Sequence, residues 1–222
     1  MIPRSKADRW VLTERLVEAG LILINEAEMF GKTPLERAKG VRNGLIIALL
    51  ALHPIRIKNF AALALAKTFV NINGRWWLNV PADDTKSHRV DQRQVPEFIT
   101  DAVNKYVSAH RLALTRGKAE ETALWVSSTT GRQMTAKNLG TLISKLTRET
   151  IGVDVSPYLF RTAAASTAAV YGGKYPYLAS ALLGHRDPRV NEEHYNRATS
   201  LEAGDTYAAI TETYRSRPKP RE

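Results

Sequence analysis

The 222 residues suffice for one domain, or a domain with a short appendage, and their 44% hydrophobic and 24% charged content excludes a wholly disordered, collagen-like or coiled-coil chain. No cysteine is present, which removes disulfides, thiolate nucleophiles, iron–sulfur clusters and cysteine-bearing zinc sites together. Thirty-two Lys and Arg against 22 Asp and Glu leave a net charge of +10, which favours a polyanionic partner.

A membrane is the weaker of the two polyanionic options. The longest apolar run, residues 44–52, is far short of the ~20 residues that cross a bilayer. The first ten residues include Asp8 and lead into no signal-type apolar segment, so a cytoplasmic location is expected.

Residues 7–30 place Trp10, Leu12, Leu16, Val17, Leu21, Leu23 and Ile24 at mostly helical spacing, with Gly20 as a point of breakage and Gly31 as the cap. Thr33-Pro34-Leu35-Glu36 reads as a capping box with a first-turn proline, opening a buried helix to Leu52. His53-Pro54 interrupts it, and 57–66 resumes as helix. Residues 68–72, 75–80 and 88–95 are rich in β-branched and aromatic types, and Asn73-Gly74 is a hairpin signal. A polar loop at 81–87 carries Lys86, completing a small antiparallel meander in which one of Trp76 and Trp77 faces the core. Pro96 opens a helix to Arg111, residues 124–126 read as a short strand, and 135–149, 157–171, 176–183, 189–197 and 201–214 read as helices before a frayed tail at 215–222.

Common catalytic motifs fail. Gly31-Lys32-Thr33 lacks the earlier glycine of a phosphate-binding P-loop, since position 26 is Glu26. There is no G-x-G-x-x-G and no G-x-S-x-G. The five histidines never fall at the i, i+4 spacing of a helical zinc pair.

A better specified set runs through the chain in order. Arg56 lies in Ile55-Arg56-Ile57-Lys58-Asn59 after the buried helix, Lys86 tips the hairpin, Arg161 opens a small-residue helix, and Leu183-Gly184-His185 is followed by Tyr195. Taken singly these have plainer readings as a surface arginine, a loop lysine, a salt-bridging arginine, a neighbour of a helix cap and a packed tyrosine. As an ordered set, over about residues 34–197, they resemble the catalytic domain of the tyrosine recombinases, the phage-integrase family, whose chemistry is shared with type IB topoisomerases.

The resemblance implies an α+β fold, mostly helical with a three-stranded antiparallel sheet: an N-terminal helix or linker at 1–32, the catalytic domain at 33–214 and a tail at 215–222. It puts the family's two arginines on Arg56 and Arg161, its lysine on Lys86, its histidine on His185 and its nucleophile on Tyr195. Tyr158 stands where the family has the histidine of His-x-x-Arg, and Asn59 where it has the acid of R-x-x-E. The interval from His185 to Tyr195 is one residue longer than usual. The partner implied is double-stranded DNA, on which a homo-oligomer (tetramer) assembles, with no cofactor, metal or ATP and with a bacterial or phage origin.

The residue types suit phosphoryl transfer. A phosphodiester gathers negative charge on its non-bridging oxygens in the transition state, and guanidiniums meet that charge with permanent cations and forked donors. Each preorganised donor of this kind is worth ~3 to 4 kcal/mol of barrier. A tyrosine nucleophile conserves the bond as phosphotyrosine, and a lysine can protonate the leaving 5′ oxygen. The expected activity is site-specific DNA strand exchange through a 3′-phosphotyrosine. The alternatives are a topoisomerase-like nick-and-reseal enzyme, or a non-catalytic DNA-binding regulator on the same fold.

Overall fold

The structure is a computed structural model that describes residues 11–85, 88–118, 120–171, 178–183 and 200–215. Helix α1 spans Thr13–Phe30 and α2 spans Pro34–Leu52. The α2 start is a complete capping box: Glu36 N donates to Thr33 Oγ1 (3.1 Å), and Thr33 N donates to Glu36 Oε2 (3.3 Å). From Gly44 to Leu52 every residue of α2 is buried, and α1 and helices from the later part of the chain pack against it. An all-apolar stretch of this length makes a central helix rather than a surface one.

Helix α1 begins later than residue 7, with Leu12 as its extended N-cap, and residues 7–10 lie outside the described part. It does not break at Gly20. There the helix backs onto α2 so closely that a β-carbon on Gly44 would stand 2.4 Å from the Gly20 carbonyl oxygen. The glycine is a point of approach, not of rupture.

Helix α3 covers only Ile57–Ala61, shorter than the expected 57–66. The next residues are taken by long-range pairing: Leu124 N donates to Leu63 O and Leu65 N to Thr122 O, both at 2.8 Å, and Ala66 has a positive φ of 60°. The three strands β1 (Phe69–Ile72), β2 (Arg75–Val80) and β3 (Asp91–Gln94) form an antiparallel sheet in that order. Asn73 and Gly74, with φ of 52° and 82°, make the turn that a two-residue hairpin needs. Strand β3 is half the expected length. Trp76 points into the core, stacked on Phe69 at 5.0 Å, and its Nε1 donates to Asn104.

Helix α4 (Glu97–Lys105) passes through a π-turn at Tyr106–His110 into α5 (Arg111–Thr115), so this helical run extends beyond the expected end at Arg111. Residues 124–126 are not a strand. Their segment makes isolated bridges, and its carbonyls are held by side chains: Arg111 Nε to Ala123 O, Tyr106 Oη to Leu124 O and Arg42 Nη1 to Val126 O. Helices α6 (Ala136–Ile151), α7 (Pro157–Tyr171), α8 (Leu178–Leu183) and α9 (Ser200–Arg215) complete the described chain. Ala164, Ala168, Leu178, Leu182, Leu183 and Tyr207 form a second apolar cluster that joins α7, α8 and α9. Helix α9 also packs on β3 and α1. The expected helix at 189–197, residues 176–177 and the tail beyond Arg215 lie outside the described residues.

Candidate active site

Arg56 is the N-cap of α3, extended at φ −64° and ψ 138°, and half-buried. It sits there because Pro54 cannot continue α2 and the chain must turn before α3. Arg161 lies on the second turn of α7, also half-buried. Its Nη1 donates to Pro54 O at 2.6 Å and its Nη2 to Leu183 O at 2.8 Å. One guanidinium thus joins the segment that carries Arg56 to the last residue of α8.

Burial lowers the pKa of Arg161 from its ordinary value, and the positive charges of Arg56 and Arg93 lower it further, while Asp91 and Tyr158 act in the opposite sense. An arginine stays charged through such a shift. Arg56 and Arg161 thus bring two positive charges near one another, while the Arg93 charge is paired with Asp91. Tyr158 precedes Arg161 by one helical turn and is 68% exposed, so it is a surface group beside the arginine rather than a core residue.

Lys86, His185 and Tyr195 lie outside the described residues. The described part fixes what leads to two of them. Asn59, 9% exposed, donates Nδ2 to Asp84 O at 3.0 Å, and Lys58 pairs with Asp84 at 3.6 Å, so α3 holds the loop two residues ahead of Lys86. Arg161 holds Leu183, two residues ahead of His185.

Sequence reasoning missed Arg93, Asp91 and His53. Arg93 is the inward residue of β3, 2% exposed, in register with Leu78. Its Nε and Nη2 donate to the two Asp91 carboxylate oxygens at 2.8 and 2.7 Å, and Nη2 also donates to Leu182 O at 2.7 Å. Asp-x-Arg on one face of a strand was the available signal, since residues two apart share a face. His53, fully buried where α2 ends, has no hydrogen-bond partner for either ring nitrogen among the described residues. Burial, with help from the Arg93 charge, pushes its pKa down to about 3.

No protein-family model and no characterised protein sequence matches the chain. Solved structures do. The site-specific recombinase XerH bound to its difH substrate before cleavage matches with TM-score 0.57 at 16% identity, over 90% of this chain and 50% of that one. XerH bound to palindromic difH after cleavage matches with TM-score 0.56 at 15% identity, over 96% and 53%. XerA recombinase matches with TM-score 0.52 at 18% identity, over 92% and 64%. This chain thus spans between half and two thirds of each of these three structures. The helices around α2, the three-stranded meander and these likenesses together identify the fold as that of a tyrosine-recombinase catalytic domain.

Proposed function

We propose that the protein is a DNA strand-transfer enzyme that cuts and rejoins duplex DNA through a phosphotyrosine on Tyr195. The observation that carries this reading is the Arg161 tether. By donating to Pro54 O and Leu183 O, Arg161 draws together the segments that bear Arg56 and precede His185, as convergence on a single phosphate requires. The net charge of +10 supports a DNA partner. The XerH structures it resembles are described as bound to difH substrate.

In this reading Arg56 and Arg161 neutralise the non-bridging oxygens as charge gathers there. His185 adds a donor. The Tyr195 phenol oxygen bonds to phosphorus as its proton passes to water, the bond from phosphorus to the 5′ oxygen breaks, and the Lys86 ammonium gives that oxygen a proton. The product is a 3′-phosphotyrosine and a free 5′ hydroxyl, which a second strand's 5′ hydroxyl reverses in the same site. Tyr158, exposed one helical turn before Arg161, takes the place of the family's histidine in this reading and offers its hydroxyl to the phosphate. Assembly on DNA as a tetramer belongs to the same reading.

The test uses the full chain and a pool of nicked duplexes of randomised sequence. Denaturation after incubation should leave a protein–DNA adduct whose peptide maps to Tyr195, and Tyr195→Phe should abolish the adduct while retaining salt-sensitive DNA binding. Absence of any adduct from the wild type, or an adduct on Tyr158, Tyr171 or Tyr207, overturns the assignment. Relaxation of supercoiled plasmid without any selected sequence would favour the nick-and-reseal alternative.

A further inference from the structure

Among the described residues, three arginines are buried: Arg42, Arg93 and Arg111. Arg42 and Arg111 end on carbonyls of the 121–126 segment inside the core. Arg93 ends on α8. That helix has only six residues, Leu178–Leu183, too few to be stable by itself, and its last carbonyls have no partner within the helix. Its exit must be set from outside. Two guanidiniums do so on consecutive residues, Arg93 on Leu182 O at 2.7 Å and Arg161 on Leu183 O at 2.8 Å.

The two arginines are not equivalent. Arg161 is half-buried and borders the region where a phosphate would lie. Arg93 is 2% exposed, so it cannot reach a substrate. Its fork is aimed in advance: the bidentate Asp91 partner sits two residues earlier on the same face of β3, and both residues are fixed in the sheet opposite Leu78 and Val80. An ammonium could not hold both carboxylate oxygens in the plane of the fork while donating to a carbonyl beyond.

We infer that Arg93 is a positioning residue for His185. By anchoring the Leu182 carbonyl to the sheet, it fixes the end of α8, three residues ahead of His185 in the sequence. The inference rests on the strand-transfer reading. It assigns to β3 a role separate from the hairpin lysine: the loop before β3 carries Lys86, and β3 itself sets the histidine. A small displacement of a catalytic donor is enough to matter, since ~1 Å of misplacement can cost ~10²-fold in rate.

The experiment measures single-turnover adduct formation by the full chain at saturating concentrations of the duplex recovered from the randomised pool. Arg93→Lys should slow covalent cleavage ~10- to 100-fold, the scale reached when a catalytic group is misplaced by up to ~1 Å, with duplex affinity unchanged within about twofold. In a His185→Ala background, Arg93→Lys should give no further slowing, because two residues acting through one group are not additive. If Arg93→Lys does not fold, Asp91→Asn, which keeps the volume and releases the fork, is put through the same cycle. Cleavage at the wild-type rate, a loss confined to affinity, or a slowing that multiplies with His185→Ala overturns the inference and leaves the strand-transfer reading standing. A wild-type chain that forms no adduct overturns both.

Discussion

At the residue scale, Asn59 explains its own departure from the family pattern. Its side-chain nitrogen donates to the Asp84 carbonyl, and a carboxylate at that position has no hydrogen to donate. Asn59→Asp would set a negative charge against a carbonyl oxygen and release the loop that leads to Lys86. If Lys86 protonates the leaving oxygen, the consequence is specific. Asn59→Asp should slow cleavage about 10-fold and Lys86→Ala ~10²-fold, within the usual span of acid catalysis. Both should recover most of the loss when sulfur replaces the 5′ bridging oxygen, because a thiolate with a conjugate-acid pKa near ~8.5 leaves without a proton. Arg161→Ala should not recover, since charge on the non-bridging oxygens is unchanged. Equal slowing of Asn59→Asp on both substrates would make Asn59 a support of the fold alone. Residue type and order singled out Arg56 and Arg161 in the sequence. The carbonyls that Arg161 holds could not be read there, because they depend on where distant turns of chain come to rest.

At the element scale, local chemistry spoke clearly where it acts alone. The Thr33 to Glu36 box, the Asn73-Gly74 turn and the helix that opens at Pro157 all formed where their residues specify. Long-range partners decided the rest. Residues 63–65 left helix to pair with 122–124, and the carbonyls of Ala123, Leu124 and Val126 went to Arg111, Tyr106 and Arg42 in place of a neighbouring strand. Gly20 illustrates the same limit, for its signal of breakage was a signal of contact. The α1–α2 crossing gives this a measurable sign. In an open helix Gly→Ala gains about 1 kcal/mol, but a β-carbon on Gly44 meets Gly20 O at 2.4 Å and Ile24 N at 2.9 Å, backbone atoms that cannot move aside cheaply. Overpacking of this kind costs ~1 to 3 kcal/mol. Gly44→Ala should therefore lower the Tm by several degrees, at ~2 to 4 °C per kcal/mol for a chain of this size. Scanning calorimetry of the variant decides it, and a rise in Tm would show that the helices can part without loss.

At the scale of the whole molecule, the end of α2, strand β3 and the exit of α8 are linked through Arg93, and His53 titrates beside that junction. With a folded pKa near 3 against an ordinary 6.5, His53 is neutral in the folded state over a range where the unfolded chain takes up a proton. The stability it preserves is complete above pH 6.5 and is lost as pH falls toward 3, because the unfolded state then binds more protons. At about 1.4 kcal/mol per pH unit, roughly 2 kcal/mol should be gone by pH 5. The burial that lowers the pKa is reinforced by Arg93 and opposed by Asp91, so the loss is a property of the assembled junction rather than of the helix end. His53→Leu keeps the volume and removes the titration. Urea unfolding at pH 7 and pH 5 should show the wild type losing ~2 kcal/mol more than His53→Leu between the two. Parallel losses in the two proteins would mean that His53 takes up its proton without opening the junction, and that the acid sensitivity of the fold resides in its carboxylates.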